Sequence, residues 1–200
     1  MAGPSTPRAT FYFDFGSPYA YLAAERISGL FTEAGIEQPE WQPIDFSEML
    51  RKQGRSTWAR GPERDEHVAE IERRAAAYGL PPIVWPDPWP AQRLFAMRAA
   101  TFAKQQTGRA VSFSLAAFRQ AFVAGRSLSD PDNVLIAAAA CELHPKALLK
   151  AGETKAVQGA LREATAAAAE LGVTGVPTVV VAGQLYWGDD RLEEAVQAAS

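Results

Sequence analysis

The sequence predicts an α/β fold in which a small sheet is interrupted by a large all-helical insertion. Three observations carry this. Strand-forming segments stand near the two ends of the chain, the stretch between them shows helical periodicity with little alternation, and the elements run βαβ, many helices, then αββα. The implied division is residues 1–46 plus 153–200 for the sheet-bearing part and residues 47–152 for the insertion.

Each element has a local reason. Residues 10–15 (TFYFDF) are aromatic strand formers followed by the turn residues Gly16, Ser17 and Pro18. Tyr19, Leu22, Ala23, Ile27 and Leu30 then recur at helical spacing, and Pro18 suits a first helical turn, where a missing N–H is no loss. Residues 40–46 (EWQPIDF) read as a second strand with Pro43 at an edge or bulge. Within the middle, Val68, Ile71, Ala75 and Tyr78 share a helical face; so do Leu94, Met97, Arg98 and Thr101, then Leu115, Phe118 and Phe122, then Val134, Ala137, Ala138 and Cys141. Five prolines in residues 81–90 (PPIVWPDPWP) forbid helix there. Val157, Leu161, Ala164, Ala168 and Leu171 form a long apolar stripe stopped by Gly172. Residues 178–182 (TVVVA), a turn at Gly183-Gln184 and Leu185-Tyr186-Trp187 make a hairpin, and residues 189–199 close as a helix with acids at its start.

Composition narrows the function. With 48% hydrophobic and 22% charged residues the chain is a folded one, and a net charge of −3 offers no footprint for nucleic acid. No apolar run approaches the ~20 residues that span a bilayer. Residues 1–10 (MAGPSTPRAT) lack the apolar core of a secretory signal, so a cytoplasmic location is expected. The single Cys141 cannot form an internal disulfide or a dithiol pair; it reads as a buried structural thiol. His67 and His144 are too few for a histidine-based metal site, so no metal is expected, and both read as peripheral.

Two blocks carry a resemblance. Residues 11–21 (FYFDFGSPYAY) and 172–192 (GVTGVPTVVVAGQLYWGDDRL) resemble the 2-hydroxychromene-2-carboxylate isomerases, kin of kappa-class glutathione transferases and, more distantly, of DsbA-type disulfide oxidoreductases. The resemblance implies a thioredoxin-like fold with a helical insertion, glutathione as the cofactor, a small aromatic or unsaturated acid as substrate, and a homodimer. Ser17 then stands where a redox relative carries a cysteine. Serine forms no disulfide, which excludes DsbA-type redox catalysis.

Ser17 has two readings. It is an ordinary helix N-cap beside Pro18, or a hydroxyl that donates to the glutathione thiolate at a helix N-terminus, where anions are favoured. Val176-Pro177 precedes a strand and suits a cis bond; it starts an edge strand or, by resemblance, faces Ser17 and offers the Val176 N–H and C=O to the cysteinyl part of glutathione. Asp190 and Arg191 are helix-opening residues or, by resemblance, hold the γ-glutamyl end. Arg51, Lys52, Arg55 and Arg60 form a basic cluster that is a solvated face or the partner of the glycyl carboxylate. There Gly54-Arg55-Ser56 stands where kappa-class enzymes show Gly-Asn-Lys. Phe15, Trp85 and Trp89 are either core or an apolar wall for the second substrate. The function expected is a glutathione-dependent isomerase of 2-hydroxychromene-2-carboxylate or a related aromatic-degradation intermediate. A kappa-like transferase or peroxidase and a redox-inactive binding module stay open beside it.

Overall fold

A computed structural model describes residues 8–200; residues 1–7, most of the polar stretch behind the cytoplasmic expectation, lie outside the described residues. Strand β1 (Thr10–Phe13) leads through a tight turn into α1 (Pro18–Glu33), whose N-cap Ser17 accepts the Ala20 N–H at 3.1 Å. Strand β2 (Glu40–Pro43) pairs parallel to β1, with Glu40 opposite Thr10 and Pro43 opposite Phe13. It is an edge strand, so the donor missing from Pro43 costs the ladder little. The strand expected to reach residue 46 stops at Pro43, because Asp45 turns to cap α2 (Phe46–Lys52) and accepts the Glu48 N–H at 2.9 Å.

The middle is helical, as its periodicity predicts. A 3₁₀ turn (Trp58–Arg60) precedes α3 (Arg64–Ala77); α4 (Leu94–Phe102) runs on into a π-helical turn (Ala103–Thr107), and α5 (Ala110–Phe122), α6 (Pro131–Ala140) and α7 (Pro145–Glu153) follow. Residues 81–90 form an irregular strap held by the Val84 N–H on the Phe122 carbonyl at 2.9 Å, with the Asp87–Pro88 and Trp89–Pro90 bonds cis. Cys141 is buried at the end of α6.

On α8 (Lys155–Glu170) the inward stripe is Val157, Leu161, Thr165 and Ala168, while Leu171 is 48% exposed and not part of it. Thr165 can turn inward because its hydroxyl donates to the Leu161 carbonyl at 2.7 Å and accepts the Asp45 N–H at 3.0 Å. Strands β3 (Thr178–Val181) and β4 (Gln184–Trp187) form the hairpin, turning at Ala182-Gly183, one residue earlier than expected. A 3₁₀ turn (Asp189–Arg191) then leads into α9 (Leu192–Ala199).

The sheet order is β2-β1-β3-β4, with β3 antiparallel to both β1 and β4. Alternation along β1 divides the core. Phe11 and Phe13 face the large cluster formed with α1, α5 and α9, whereas Tyr12 joins Ile44, Met49, Ala168, Val176 and Val180 in a second cluster under α2 and α8.

Candidate active site

Ser17 sits where β1 ends and α1 begins. Its N–H donates to the Asp14 carbonyl at 3.0 Å, and its Oγ both accepts the Ala20 N–H and donates to the Val176 carbonyl at 3.1 Å. The Val176–Pro177 bond is cis. The hydroxyl therefore caps the helix, as one of the two readings has it, and faces the proline loop. Its single hydrogen is held by Val176, the residue whose carbonyl the resemblance assigns to an incoming peptide.

The turn is clamped from below by a carboxylate that sequence reasoning passed over. Asp14 is fully buried, accepts the Gly16 N–H at 2.7 Å and the Phe46 N–H at 2.9 Å, and is paired through both oxygens with Arg93 at the start of α4. Gly16 is required there: a Cβ would lie 2.3 Å from Arg93 Cζ. Burial pulls the Arg93 guanidinium towards neutrality, and Asp14 outweighs it, so the guanidinium stays charged.

Beside Val176 a cleft of about 550 Å³ opens, bounded by α1, the segment after α2, α3 and the β4–α9 corner. Of the residues singled out in the sequence, Val176, Pro177, Arg55 and Asp190 line it. Ser17 does not line it but is bonded to Val176, which does, and Pro18 is buried in the first turn of α1. Arg55 Nη1 is held by the Thr174 carbonyl at 2.8 Å and by Gln53 Oε1 at 2.9 Å. Arg60 is exposed outside the cleft, and Arg191 is turned to Glu194 at 2.6 Å.

The aromatic wall is built differently from the expectation. Phe15 is core, packed on Phe113 and Phe118, and with Trp89 it borders a separate cavity of about 20 Å³. Trp85 donates to Glu72 at 2.7 Å and packs on Trp89, which tilts against Trp58. None of these three lines the cleft, because the proline strap carries both tryptophans behind Trp58. The aromatic rings that do line it are Tyr19, Phe46, Trp58 and Trp187. Trp187 approaches Gly175 so closely that a Cβ there would meet its Nε1 at 2.4 Å.

His67 is not peripheral: it lines the cleft, 2.8 Å from the Tyr19 hydroxyl, and rests on Trp58 at 4.3 Å. His144 is exposed and caps α7 by accepting the Lys146 N–H at 3.2 Å. A polar network backs the wall. Tyr19 reaches Glu70 at 3.2 Å, Arg74 bonds Glu70 at 2.9 Å, and Asp189 takes Arg74 Nη1 and the Tyr78 hydroxyl, each at 2.9 Å. Burial pushes the Asp189 carboxyl up against the pull of Arg74. Burial also acts to raise Glu70, but the bonds and charge of Arg74 reverse the net direction and hold it ionised. Burial and Glu70 both push the Tyr19 phenol up, so it stays neutral. The signal for α3 in the sequence was a helical face alone; its polar positions 67, 70 and 74 share the other side of that logic, one and two turns apart.

Comparison with known proteins gives first the class. The chain belongs to the DSBA-like thioredoxin domain family, whose model matches residues 9–199. Its relatives then narrow this to the 2-hydroxychromene-2-carboxylate isomerases. One from Sphingobium xenophagum is 32% identical over 195 residues, covering 94% of this chain and 95% of the relative. One from Pseudomonas putida is 28% identical over 188 residues, covering 91% and 89%. The solved structure of a 2-hydroxychromene-2-carboxylate isomerase superposes with a TM-score of 0.84 at 23% identity, covering 95% of this chain and 93% of that one. The fold is thus thioredoxin-like with a helical insertion, and the names of the relatives support an isomerase role.

Proposed function

We propose that this chain is a glutathione-dependent isomerase of 2-hydroxychromene-2-carboxylate or a related aromatic-degradation intermediate, in which Ser17 stabilises the glutathione thiolate. The observation that carries the reading is the Ser17 hydroxyl at a helix N-terminus, 3.1 Å from the carbonyl of the residue before the cis proline.

The residues present fit the tripeptide. The cleft volume falls within the about 300–1,000 Å³ of small-molecule sites. Val176 presents a carbonyl for strand-like pairing, Asp190 is a 55% exposed carboxylate suited to the γ-glutamyl ammonium, and Arg55 is a cation across the cleft for the glycyl carboxylate. Arg60 and Arg191 join only by leaving their present surroundings. With an amide N–H of the tripeptide on the Val176 carbonyl, the Ser17 hydroxyl would be the group able to turn its hydrogen to the thiolate.

Modest energies suffice. Lowering a thiol from its usual ~8.5 by one unit requires about 1.4 kcal/mol of preference for the thiolate. One charge-assisted hydrogen bond supplies roughly 1.5–3 kcal/mol, and the helix N-terminus adds to it. Bound glutathione supplies nucleophilic addition to a ring carbon and later elimination, dividing a bond isomerisation into easier steps. The protein holds the thiolate and the acid in register and stabilises developing negative charge.

Ser17→Ala is expected to lower turnover by more than about tenfold, the kinetic equivalent of one lost charge-assisted hydrogen bond. The lost cap costs about 1 kcal/mol of stability, so the fold survives. Unchanged turnover removes Ser17 from the mechanism. Glutathione raises the melting temperature of the parent chain through preferential binding to the folded state, and the product is an isomer formed without net thiol consumption. A conjugate or a disulfide as product moves the assignment to a transferase or peroxidase, and no shift at millimolar glutathione removes glutathione.

A further inference from the structure

His67, Glu70 and Arg74 stand three and four residues apart on α3 and turn the same face to the cleft. Opposite them is Tyr19, two residues beyond Ser17, with its hydroxyl 2.8 Å from His67 Nδ1 and 3.2 Å from Glu70 Oε2. Glu70, bonded by Arg74, is ionised and can only accept. The Tyr19 hydrogen therefore goes to Glu70, and the Tyr19 oxygen accepts the hydrogen on His67 Nδ1. The opposite assignment sets the lone pairs of two oxygens against each other. This order fixes the Nδ1–H tautomer and leaves Nε2 with an open lone pair on a residue that lines the cleft.

The titratable and charged groups that share the cleft with this imidazole come from several of its sides. Tyr19 lies on α1, Glu70 and Arg74 on its own helix, Asp189 and Asp190 at the corner before α9, and Arg55 beyond α2. The Tyr19–Glu70 link connects the Nδ1 side of the ring to an ionised carboxylate.

We infer that His67, backed by Tyr19 and Glu70, is the proton-transfer residue that opens a cyclic hemiketal in this cleft. The inference rests on the isomerase reading. The substrate in the relatives' name carries a hydroxyl and the ring oxygen on the same carbon, which is a hemiketal. Opening it breaks the bond from that carbon to the ring oxygen. The hydroxyl proton passes to His67 Nε2, the carbon–oxygen double bond of a ketone forms, and the released electron pair goes to the ring oxygen. His67 returns the proton to that oxygen, giving a phenol. Protons and electrons balance, and no oxidant or reductant enters. Ser17 has one hydrogen, committed first to Val176 and then to sulfur, so the hemiketal end needs its own proton carrier.

The experiment compares the full chain with His67→Gln, Tyr19→Phe and the double variant, using 2-hydroxychromene-2-carboxylate and glutathione. His67→Gln is expected to lower kcat by about a hundredfold, the scale of general acid–base catalysis. Glutathione affinity by calorimetry stays unchanged. Tyr19→Phe is expected to fall by about tenfold, with the double variant no worse than His67→Gln, as for residues that act as one unit. A readout without turnover is nitrogen NMR of the His67 ring, expected to show Nδ1–H with Nε2 bare in the parent and a loss of that preference in Tyr19→Phe. A His67→Gln variant that keeps kcat, or a parent ring protonated on Nε2, overturns the inference and leaves the function reading standing. A parent chain that binds glutathione but does not isomerise the chromene overturns both.

Discussion

Asp14 answers four donors with two oxygens: the Gly16 and Phe46 N–H groups and two nitrogens of Arg93. It thereby ties the end of β1, the start of α2 and the start of α4 to the turn that presents Ser17. A buried pair of this kind is costly to break by halves, because the surviving charge has no water to turn to. Arg93→Met is expected to lower unfolding free energy by about 3–5 kcal/mol, read from urea unfolding at neutral pH. A loss under about 1 kcal/mol means that Asp14 finds other compensation and the clamp is not what holds the turn. This residue also shows where sequence reading stops. Ser17, Pro18 and Val176-Pro177 were legible because their meaning lies in neighbours one or two positions away. Arg93 is 79 positions from Asp14, and Tyr19 is 48 from His67. Each of those pairs is made by packing, and neither partner carries a local mark of it.

At the level of elements, helices were legible by their apolar faces and strands by composition, and the differences fall at ends, where one hydrogen bond decides. Asp45 left the predicted second strand because its side chain had a helix to cap, and Leu171 left the predicted stripe because it is the C-cap of α8, beyond its last turn, where Val173 takes the buried place beside Ala168. The β3–β4 turn moved by one residue to Ala182-Gly183, and both residues adopt positive φ, +50° and +82°. That is the two-residue turn whose twist matches a hairpin, for which Asn-Gly is the preferred pair. Alanine gains nothing from the left-handed region and meets its Cβ crowding. Ala182→Asn is expected to stabilise the protein by about 0.5–1 kcal/mol, seen as a higher melting temperature with glutathione affinity unchanged. An unchanged or lower melting temperature means the turn does not keep this form in solution.

Across the whole molecule, the order of elements predicted a split sheet, and the two faces of β1 explain why such a chain needs helices from both of its halves. Phe11 and Phe13 call for one apolar layer and Tyr12 for another, so α1, α5 and α9 cover one side and α2 and α8 the other. The aromatics placed along these layers couple the fold to alkali. Four of the five tyrosines have phenols shifted upward: Tyr12 by burial and Glu40, Tyr19 by burial and Glu70, Tyr21 to about 12 by burial and Glu25, and Tyr78 to about 12 by burial and Asp189. A phenol whose value is raised in the fold above its ordinary 10.0 is bound more tightly to its proton when folded. Its stabilising contribution is complete below pH 10 and is lost as pH climbs through about 12. Tyrosinate absorbance and helical circular dichroism followed together should therefore show most phenols silent at pH 10, then ionisation and loss of helix in one cooperative step near pH 12. Ionisation of most of the tyrosines near pH 10 with the helices intact would mean that water reaches the layers this architecture closes.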